Sequence, residues 1–498
     1  MTGIKAFGGY VPRYRLSRAA IFAANGWFAA GLKGLARGER AMGSWDEDTI
    51  TMAVEAARDC LGERAREAVG RLTLASTTLP FADRQNSTVV KEALNLPDGI
   101  AAFDIAGSQR AGTSALLDAL QAGVGSDRDL LCVAAERPKS RPGSEGEMTN
   151  ADAAAALLVG KDELAAVFLG GHSVTVDFVD RFRESGEAFD YSWEARWIRE
   201  EGYGAIVPEA IAVALAKTRL TAAQIDRFIL ASPMAGVSAS VAKKAGIRAE
   251  AVVDTLGGVL GHAGAAQPLV LLSHTLERAA PGETILLAGF GNGCDVIVLR
   301  TTGLIDAARP RRGITGHLAD RKPIENYMQY LAFAGLLELE KGMRAELDQK
   351  PVLSALYRER KTVLGLVGGK CRETGTVQFP KSPLSVATGV RALNTQDDYP
   401  LAERPARIIS YTADNLTFTP HPPSFYGGVE FDGGGRMMAE FVDLDEAGVE
   451  VGMPVHMVFR IKATDERRHF TKYFWKAAPE RGTTLNAATA AAAVAAVD

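Results

Sequence analysis

Apolar and polar positions fall into two textures along this chain. Over residues 1–300, short continuous apolar runs alternate with long Ala-rich amphipathic segments. Thr51–Leu61 has apolar residues at Met52, Val54, Ala57 and Leu61, a spacing that predicts a helix. Leu72–Ala75 reads as a short strand and Thr88–Leu96 as the next helix. Leu130–Ala134 and Ile285–Ala288 are uninterrupted apolar runs flanked by charge or glycine, which predicts strands buried on both faces. The alternation predicts an α/β layered fold. Two tight small-residue turns, Gly107–Ser114 and Gly261–Ala266, open the apolar helices Ala115–Leu120 and Pro268–Leu276. Aligning their Ala-Gly pairs matches Arg110 with His262, a faint echo of two related halves that would set both turns near one pseudo-symmetric centre.

The texture then changes. Ala308–Arg321 is basic and contains glycine, and reads as a connector; a helical stretch, Ile324–Lys341, follows. From about Val352 the chain is β-rich: Val363–Val367, Ala406–Thr412, Met437–Val442 and Val455–Ile461 are short and separated by Gly, Pro and Asp signals, which predicts a small all-β sandwich or barrel. The run Leu485–Val497, almost all Ala, Thr and Val, predicts a frayed helix or disorder.

A length of 498 residues allows two or three domains, and 47% hydrophobic residues supply a large core. With 56 Lys+Arg against 60 Asp+Glu the net charge is −4, which excludes a basic field for nucleic acid or anionic lipid. No run approaches the roughly 18 apolar residues of a membrane span, and Met1–Lys5 lacks the layout of a signal peptide. Cys60, Cys132, Cys294 and Cys371 lie far apart, which fits a reducing compartment. The expectation is a cytoplasmic protein with no nucleic-acid or membrane partner.

Particular motifs resemble a known family. Gly8–Leu16 (GGYVPRYRL), Asp46–Thr49, Ala53–Arg58, Arg141–Gly143 with Ala151–Ala155, Val241–Lys244 and Tyr327–Leu331 are similar, in one consistent order over about residues 1–345, to the archaeal and bacterial hydroxymethylglutaryl-CoA synthases of the thiolase superfamily. Gly368–Cys371, Gly375, Phe379-Pro380, Tyr411-Thr412 and Val451–Val455 resemble the acyl-CoA accessory family that joins a zinc ribbon to an OB fold. The resemblance implies a five-layer αβαβα thiolase-like domain over 1–345, a degenerate ribbon over 346–388, an OB-fold domain over 389–480 and an Ala-rich tail over 481–498. It also implies a homodimer, with a CoA thioester as substrate and no permanently bound cofactor.

The family's chemistry uses a Cys nucleophile at a helix N-terminus, a Glu acid/base and a His. Carried over, these fall on Gln109, Thr77 and Ala231, and a carboxamide forms no acyl-enzyme. His262, in Gly261–Ala266, resembles the Gly-His motif of true thiolases and would hold a thioester oxygen as negative charge develops, or shuttle a proton. Gly289–Cys294 resembles the Gly-rich loop that supplies N–H donors to the same oxygen, and brings in Gly291, Asn292 and Gly293. Gln109 would donate to a carbonyl, and Tyr203 is a phenolic acid/base candidate. Ser108, Thr77 and Lys243 complete the expected substrate contacts, Lys243 toward CoA phosphates unless it belongs to a solvated face. Cys371 is the one thiol left among four expected zinc positions (with Thr374, Ser382 and Ser385), so no metal is expected. The leading expectation is aldol or retro-aldol chemistry on a 3-hydroxyacyl-CoA without a covalent intermediate, as in thiolase-like aldolases. A Claisen synthase or acyltransferase, and a non-catalytic acyl-CoA scaffold, are the alternatives.

Overall fold

The computed structural model describes residues 1–342, 352–387, 393–445 and 447–481. Nine strands form the central sheet: β1 (Gly3–Tyr10), β2 (Val69–Ala75), β3 (Ala101–Ile105), β4 (Asp129–Glu136), β5 (Ala153–Gly160), β6 (Ala166–Thr175), β7 (Arg227–Leu230), β8 (Thr284–Phe290) and β9 (Gly293–Thr301). Their order is β7-β8-β9-β6-β1-β5-β4-β2-β3. β1 and β6 are joined only through Gly3 and Ile4, so the sheet divides there into two halves.

The apolar strand runs explain the layers. In β4, Leu131, Val133 and Ala135 join one core while Leu130, Cys132 and Ala134 join another. In β8, Ile285 and Leu287 join that second core while Leu286 and Ala288 enter a third. Side chains alternate across a strand, so each half-sheet is covered on both faces. Helices α1 (Thr49–Leu61) and α2 (Asn86–Ala93) cover the first outer face. Helices α3 (Ala111–Ala122) and α6 (Gln267–Leu276) fill the middle, and α4 (Val207–Thr218) and α5 (Val237–Ala245) cover the last. These are the five expected αβαβα layers. α1 starts two residues earlier than its apolar pattern predicts, because Asp48 accepts from Thr51 N at 2.9 Å in a capping box.

Two expectations about residues 308–341 require correction. Ile324–Lys341 is not one helix: Lys322–Ile324 is a strand, and a helix covers only Tyr327–Phe333. The chain turns at Gly335 (φ +67°), a left-handed conformation that ends helices. The connector Ala308–Arg321 is partly helical, with α7 over Gly313–Ala319. Its first turn is received by two half-buried carboxylates. Glu277 accepts from Ile314 N at 2.6 Å and Thr315 N at 3.0 Å, and Asp59 accepts from Gly313 N at 3.1 Å.

Burial pushes the Glu277 carboxyl from its ordinary 4.5 up to about 7, although the Thr315 hydroxyl and these N–H groups pull it down. Folded chains therefore hold a proton there that unfolded chains have lost. The stability this contributes is complete below pH 4.5 and disappears as pH rises to about 7. Melting temperature is expected to decline over that window, and Glu277→Gln to flatten the decline; an unchanged slope in the variant counts against this assignment.

A five-stranded antiparallel sheet follows, built from β10 (Ala406–Asp414), β11 (Ser424–Phe431), β12 (Arg436–Glu440), β13 (Pro454–Asp465) and β14 (Phe470–Pro479) in the order β12-β11-β10-β13-β14. The expected Val363–Val367 strand is displaced. Arg360–Val363 is a helical turn and the strand runs over Val367–Cys371, after a reversal at Leu366 (φ +48°). The expected run at Leu485–Val497 lies outside the described residues.

The five-stranded sheet docks on α1. Phe459 N donates to Glu55 Oε1 at 2.7 Å, and Arg58 donates to Met457 O at 2.8 Å and packs over the Trp475 ring. Behind these contacts two buried cations cross the seam. Lys476 Nζ lies 2.9 Å from both Asp46 and Glu440, and Arg460 lies 2.9 Å from Asp443 and 3.3 Å from Glu47. A cavity of about 930 Å³ opens in the same seam, lined among others by Arg58, Arg312, Glu403, Arg460 and Glu480. None of the residues expected at the functional site lines it.

In the smaller sheet that contains Val367–Cys371, Cys371 Sγ lies 3.3 Å from Thr395 Oγ1, while Thr374 bonds Thr376 and Ser382 bonds Leu384 O. One thiol with three hydroxyls does not make a tetrahedral zinc set. No helix among the described residues is long and apolar enough to cross a membrane.

Candidate functional site

Parallel register sets the centre of the site. Ala75 of β2 pairs with Ala134 of β4, so residues 76–77 leave the sheet beside 135–136. Thr77 N donates to Glu136 Oε2 at 3.1 Å and Thr77 Oγ1 to Glu136 Oε1 at 3.0 Å. The turn before α6 closes over the same carboxylate, with Ala265 N 3.3 Å from Oε2. A Cβ on Gly264 would meet Glu136 Cγ at 2.8 Å and Gln109 Oε1 at 3.1 Å. With φ at +44° as well, only glycine suits that position.

His262 is held by its backbone, donating to Thr149 O at 2.8 Å and accepting from Ala151 N at 3.0 Å. Its Nδ1 accepts from Gly264 N at 3.2 Å, which leaves the ring proton on Nε2. Burial, then the Arg181 guanidinium, lowers its pKa to about 3, so the imidazole is neutral at working pH. His262 therefore presents one N–H donor. It is a poor proton acceptor.

Gln109 precedes the first turn of α3. Its Nε2 lies 3.3 Å from Thr77 Oγ1, and its buried Oε1 has no hydrogen-bond partner. The start of α3 is tied to β9: Asp295 receives Arg110 Nη1 at 2.8 Å, Ser114 Oγ at 2.6 Å and Thr113 Oγ1 at 3.1 Å. Ser108 Oγ donates to Gly291 O at 2.8 Å. A Cβ on Gly291 would lie 2.9 Å from Arg110 N and 3.0 Å from Gln109 N, so the 289–294 loop approaches Gln109 through backbone alone.

The structure thus brings Thr77, Ser108, Gln109, Gly291 and His262 into one neighbourhood. The other expected residues have different surroundings. Asn292, at φ +47° on the tip of the β8–β9 hairpin, turns its amide to Phe178 O at 3.4 Å. Gly293 passes so close to β6 that a Cβ would lie 2.0 Å from Val174 O. Tyr203 is buried against Phe290, ring centroids 4.3 Å apart, with its hydroxyl 3.5 Å from Ala231 O. Lys243 is exposed on α5.

Three residues of this neighbourhood escaped the sequence reading. Glu136 was legible only as a charge ending an apolar run. Arg181 and Arg183 come from a short hairpin, Arg181–Phe182 with Tyr191–Ser192, that lies over the site. Both pair with Asp190, at 3.4 and 3.1 Å, and Arg183 also donates to Thr77 O. All four cysteines are buried elsewhere. Burial raises the Cys132 thiol to about 12 and pushes Cys60 and Cys294 higher still, so none of these three is a ready thiolate. Cys371 differs, its thiol drawn down to about 6 by the Thr374 and Thr395 hydroxyls, but it sits in the small sheet of the C-terminal part and not beside Gln109.

Comparison with known proteins matches this chain twice to family models. Residues 215–299 match the C-terminal part of 3-oxoacyl-[acyl-carrier-protein] synthase III, and residues 400–460 match the C-terminal OB-fold domain of ChsH2. Hydroxymethylglutaryl-CoA synthase of Aeropyrum pernix is 30% identical over 364 residues, spanning 71% of this chain and 96% of that protein. The synthase of Thermococcus onnurineus is 28% identical over 339 residues, 67% of this chain and 95% of that protein. Among solved structures, HMG-CoA synthase complexed with CoA superposes with a TM-score of 0.60 at 17% identity, covering 70% of this chain and 94% of that one. 3-Oxoacyl-[acyl-carrier-protein] synthase III from Aquifex aeolicus gives 0.52 at 19% identity, covering 60% and 100%. These likenesses show a thiolase-like fold followed by an OB-fold domain.

Proposed function

This chain belongs to the hydroxymethylglutaryl-CoA synthase family, and from that premise we propose that it makes or breaks a carbon–carbon bond beside a CoA thioester without forming an acyl-enzyme. The reaction is an aldol or retro-aldol step on a 3-hydroxyacyl-CoA. One observation carries this reading. The side chain just before α3, beside the His262 turn, is a carboxamide, Gln109, and all four thiols of the chain are buried, that of Cys294 in the outer core on the far face of β9.

Retro-aldol cleavage needs two things: a base for the 3-hydroxyl proton and a place for charge on the thioester oxygen. The Cα–Cβ electron pair moves into the thioester as an enolate while the hydroxyl becomes a carbonyl. Neutral His262 donates from Nε2 to that enolate oxygen, in surroundings dry enough to strengthen the bond. Backbone N–H groups of the Gly291 loop, held against Ser108 and Gln109, are further donors. No step passes through a thiolate.

The synthase relatives favour a second reading, Claisen-type condensation. Mass spectrometry of the protein incubated with a panel of 3-hydroxyacyl-CoAs separates the two. The expected result is a shortened acyl-CoA plus a small ketone or aldehyde, with the protein mass unchanged. An acylated cysteine would overturn the aldol reading.

The homodimer belongs to the same proposal. β3 is an edge strand of the nine-stranded sheet and exposes Phe103 by 49%, so pairing with a second copy would extend the sheet and cover that ring. In this reading residues 1–345 form the acyl-CoA domain and 389–480 the OB-fold domain beside it.

A further inference from the structure

Glu136 is fully buried, yet its contacts are those of a carboxylate waiting for a proton rather than of an ion-pair anchor. Its oxygens accept from the Thr77 hydroxyl (3.0 Å), Thr77 N (3.1 Å), Ala265 N (3.3 Å) and the Ser76 hydroxyl (3.4 Å). No cation bonds it directly among the described residues; Arg181 acts on it only through space and is itself tied to Asp190. A buried carboxylate with only neutral donors is costly unless it does chemistry or is fully satisfied. Of the hydroxyls that bond it, those of Ser76, Thr77 and Thr78, only Thr77 is also bonded to Gln109. Gly264 and Gln109 wall it on one side, while Thr77 is half-buried and bridges it to Gln109 Nε2 at 3.3 Å.

We propose that Thr77 is a catalytic residue whose hydroxyl relays protons between the substrate and Glu136, and that Glu136 is the proton store behind it. The assignment rests on the function proposed above and supplies the base which that function lacks. In the cleavage direction the 3-hydroxyl proton passes to Thr77 Oγ1 as the Thr77 proton passes to Glu136 Oε1. The O–H electron pair becomes the new carbonyl bond, and the Cα–Cβ pair enters the enolate held by His262. Glu136 then returns its proton through Thr77 to Cα, and the enolate collapses to the shortened thioester. Protons and electrons balance with no further reactant.

Electrostatics agree with the geometry. Burial raises the Glu136 carboxyl above its ordinary range, against the hydrogen bonds of Thr78 and Thr77 and the charge of Arg181. A base whose pKa moves toward working pH is the more effective one. The charged group acting on it is Arg181, from the 181–192 hairpin and paired with Asp190.

Deuterium uptake at Cα tests the relay without needing the natural substrate. Wild-type protein incubated in D2O with acetyl-CoA or 3-hydroxybutyryl-CoA is expected to exchange α-protons, read by mass spectrometry. Glu136→Gln and Thr77→Val should each slow exchange by about 100-fold or more, whereas Thr77→Ser should retain most of the rate. The rate should fall at acid pH in the wild type, and that limb should vanish in Glu136→Gln. If Glu136→Gln does not fold, the contrast between Val and Ser at position 77 decides alone. Exchange within about threefold of wild type in Thr77→Val, or an unchanged acid limb in Glu136→Gln, overturns the relay while leaving the proposed function standing. A wild-type protein that exchanges with neither thioester overturns the function, and the relay with it.

Discussion

Replacing His262 by alanine is expected to lower kcat for 3-hydroxyacyl-CoA cleavage by about 10²–10³-fold while leaving KM and the melting temperature nearly unchanged. That is the range seen when one preorganised oxyanion donor is removed. The side chain donates only from Nε2, because Gly264 N occupies Nδ1, and the backbone of residue 262 is fixed independently by Thr149 and Ala151. The turn therefore keeps its shape without the ring. Because the imidazole titrates near pH 3, it contributes no limb to the activity profile between pH 5 and 9. His262→Gln, which restores an N–H donor, should recover part of the lost rate. Full activity in the alanine variant would eliminate His262 as the oxyanion donor.

Arg460→Met is expected to cost about 3–5 kcal/mol of stability, because it strands Glu47 as a buried anion and removes the cation that Asp443 pairs with. Arg460 itself is 1% exposed, and its guanidinium also meets the Tyr10 hydroxyl at 3.0 Å. The seam between α1 and the five-stranded sheet should loosen first, since both anions face it from opposite sides. Limited proteolysis should then release a C-terminal fragment from the variant well below the wild-type melting temperature. Adding Glu47→Gln to Arg460→Met should restore much of the loss, because removing both partners of a buried pair costs far less than removing one. A variant that melts with the wild type would mean that the seam is held by its apolar contacts alone.

The same contrast between patterned and buried features explains what was legible. The runs Leu130–Ala134 and Ile285–Ala288 announced strands covered on both faces, and the strands are those, extended to Asp129–Glu136 and Thr284–Phe290. The two glycine turns were recognisable because a small residue ahead of an apolar helix is a local signal, and they do converge, on Gly264 and Gln109. Ile324–Lys341 misled because its apolar spacing continues past Gly335, where the backbone turns left-handed. Val363–Val367 misled by a few residues for a similar reason: the reversal at Leu366 demands no glycine, so composition gives no warning of it.

Glu136 shows where sequence reasoning ends. It lies 59 positions from Thr77 along the chain, and only the parallel register of β2 on β4 puts its carboxylate against that hydroxyl. Arg181 likewise gains its influence on His262 from a hairpin folded across the site. By itself the sequence determined the layered α/β architecture, the β-rich C-terminal third and the absence of a thiol at the start of α3, because periodicity and residue identity are local. Tertiary structure alone decided which polar groups share a dry space, which tautomer His262 adopts and which carboxylate stands behind Thr77. Hydrogen-bond partners and desolvation depend on distances between residues far apart in the chain, and no local pattern encodes them.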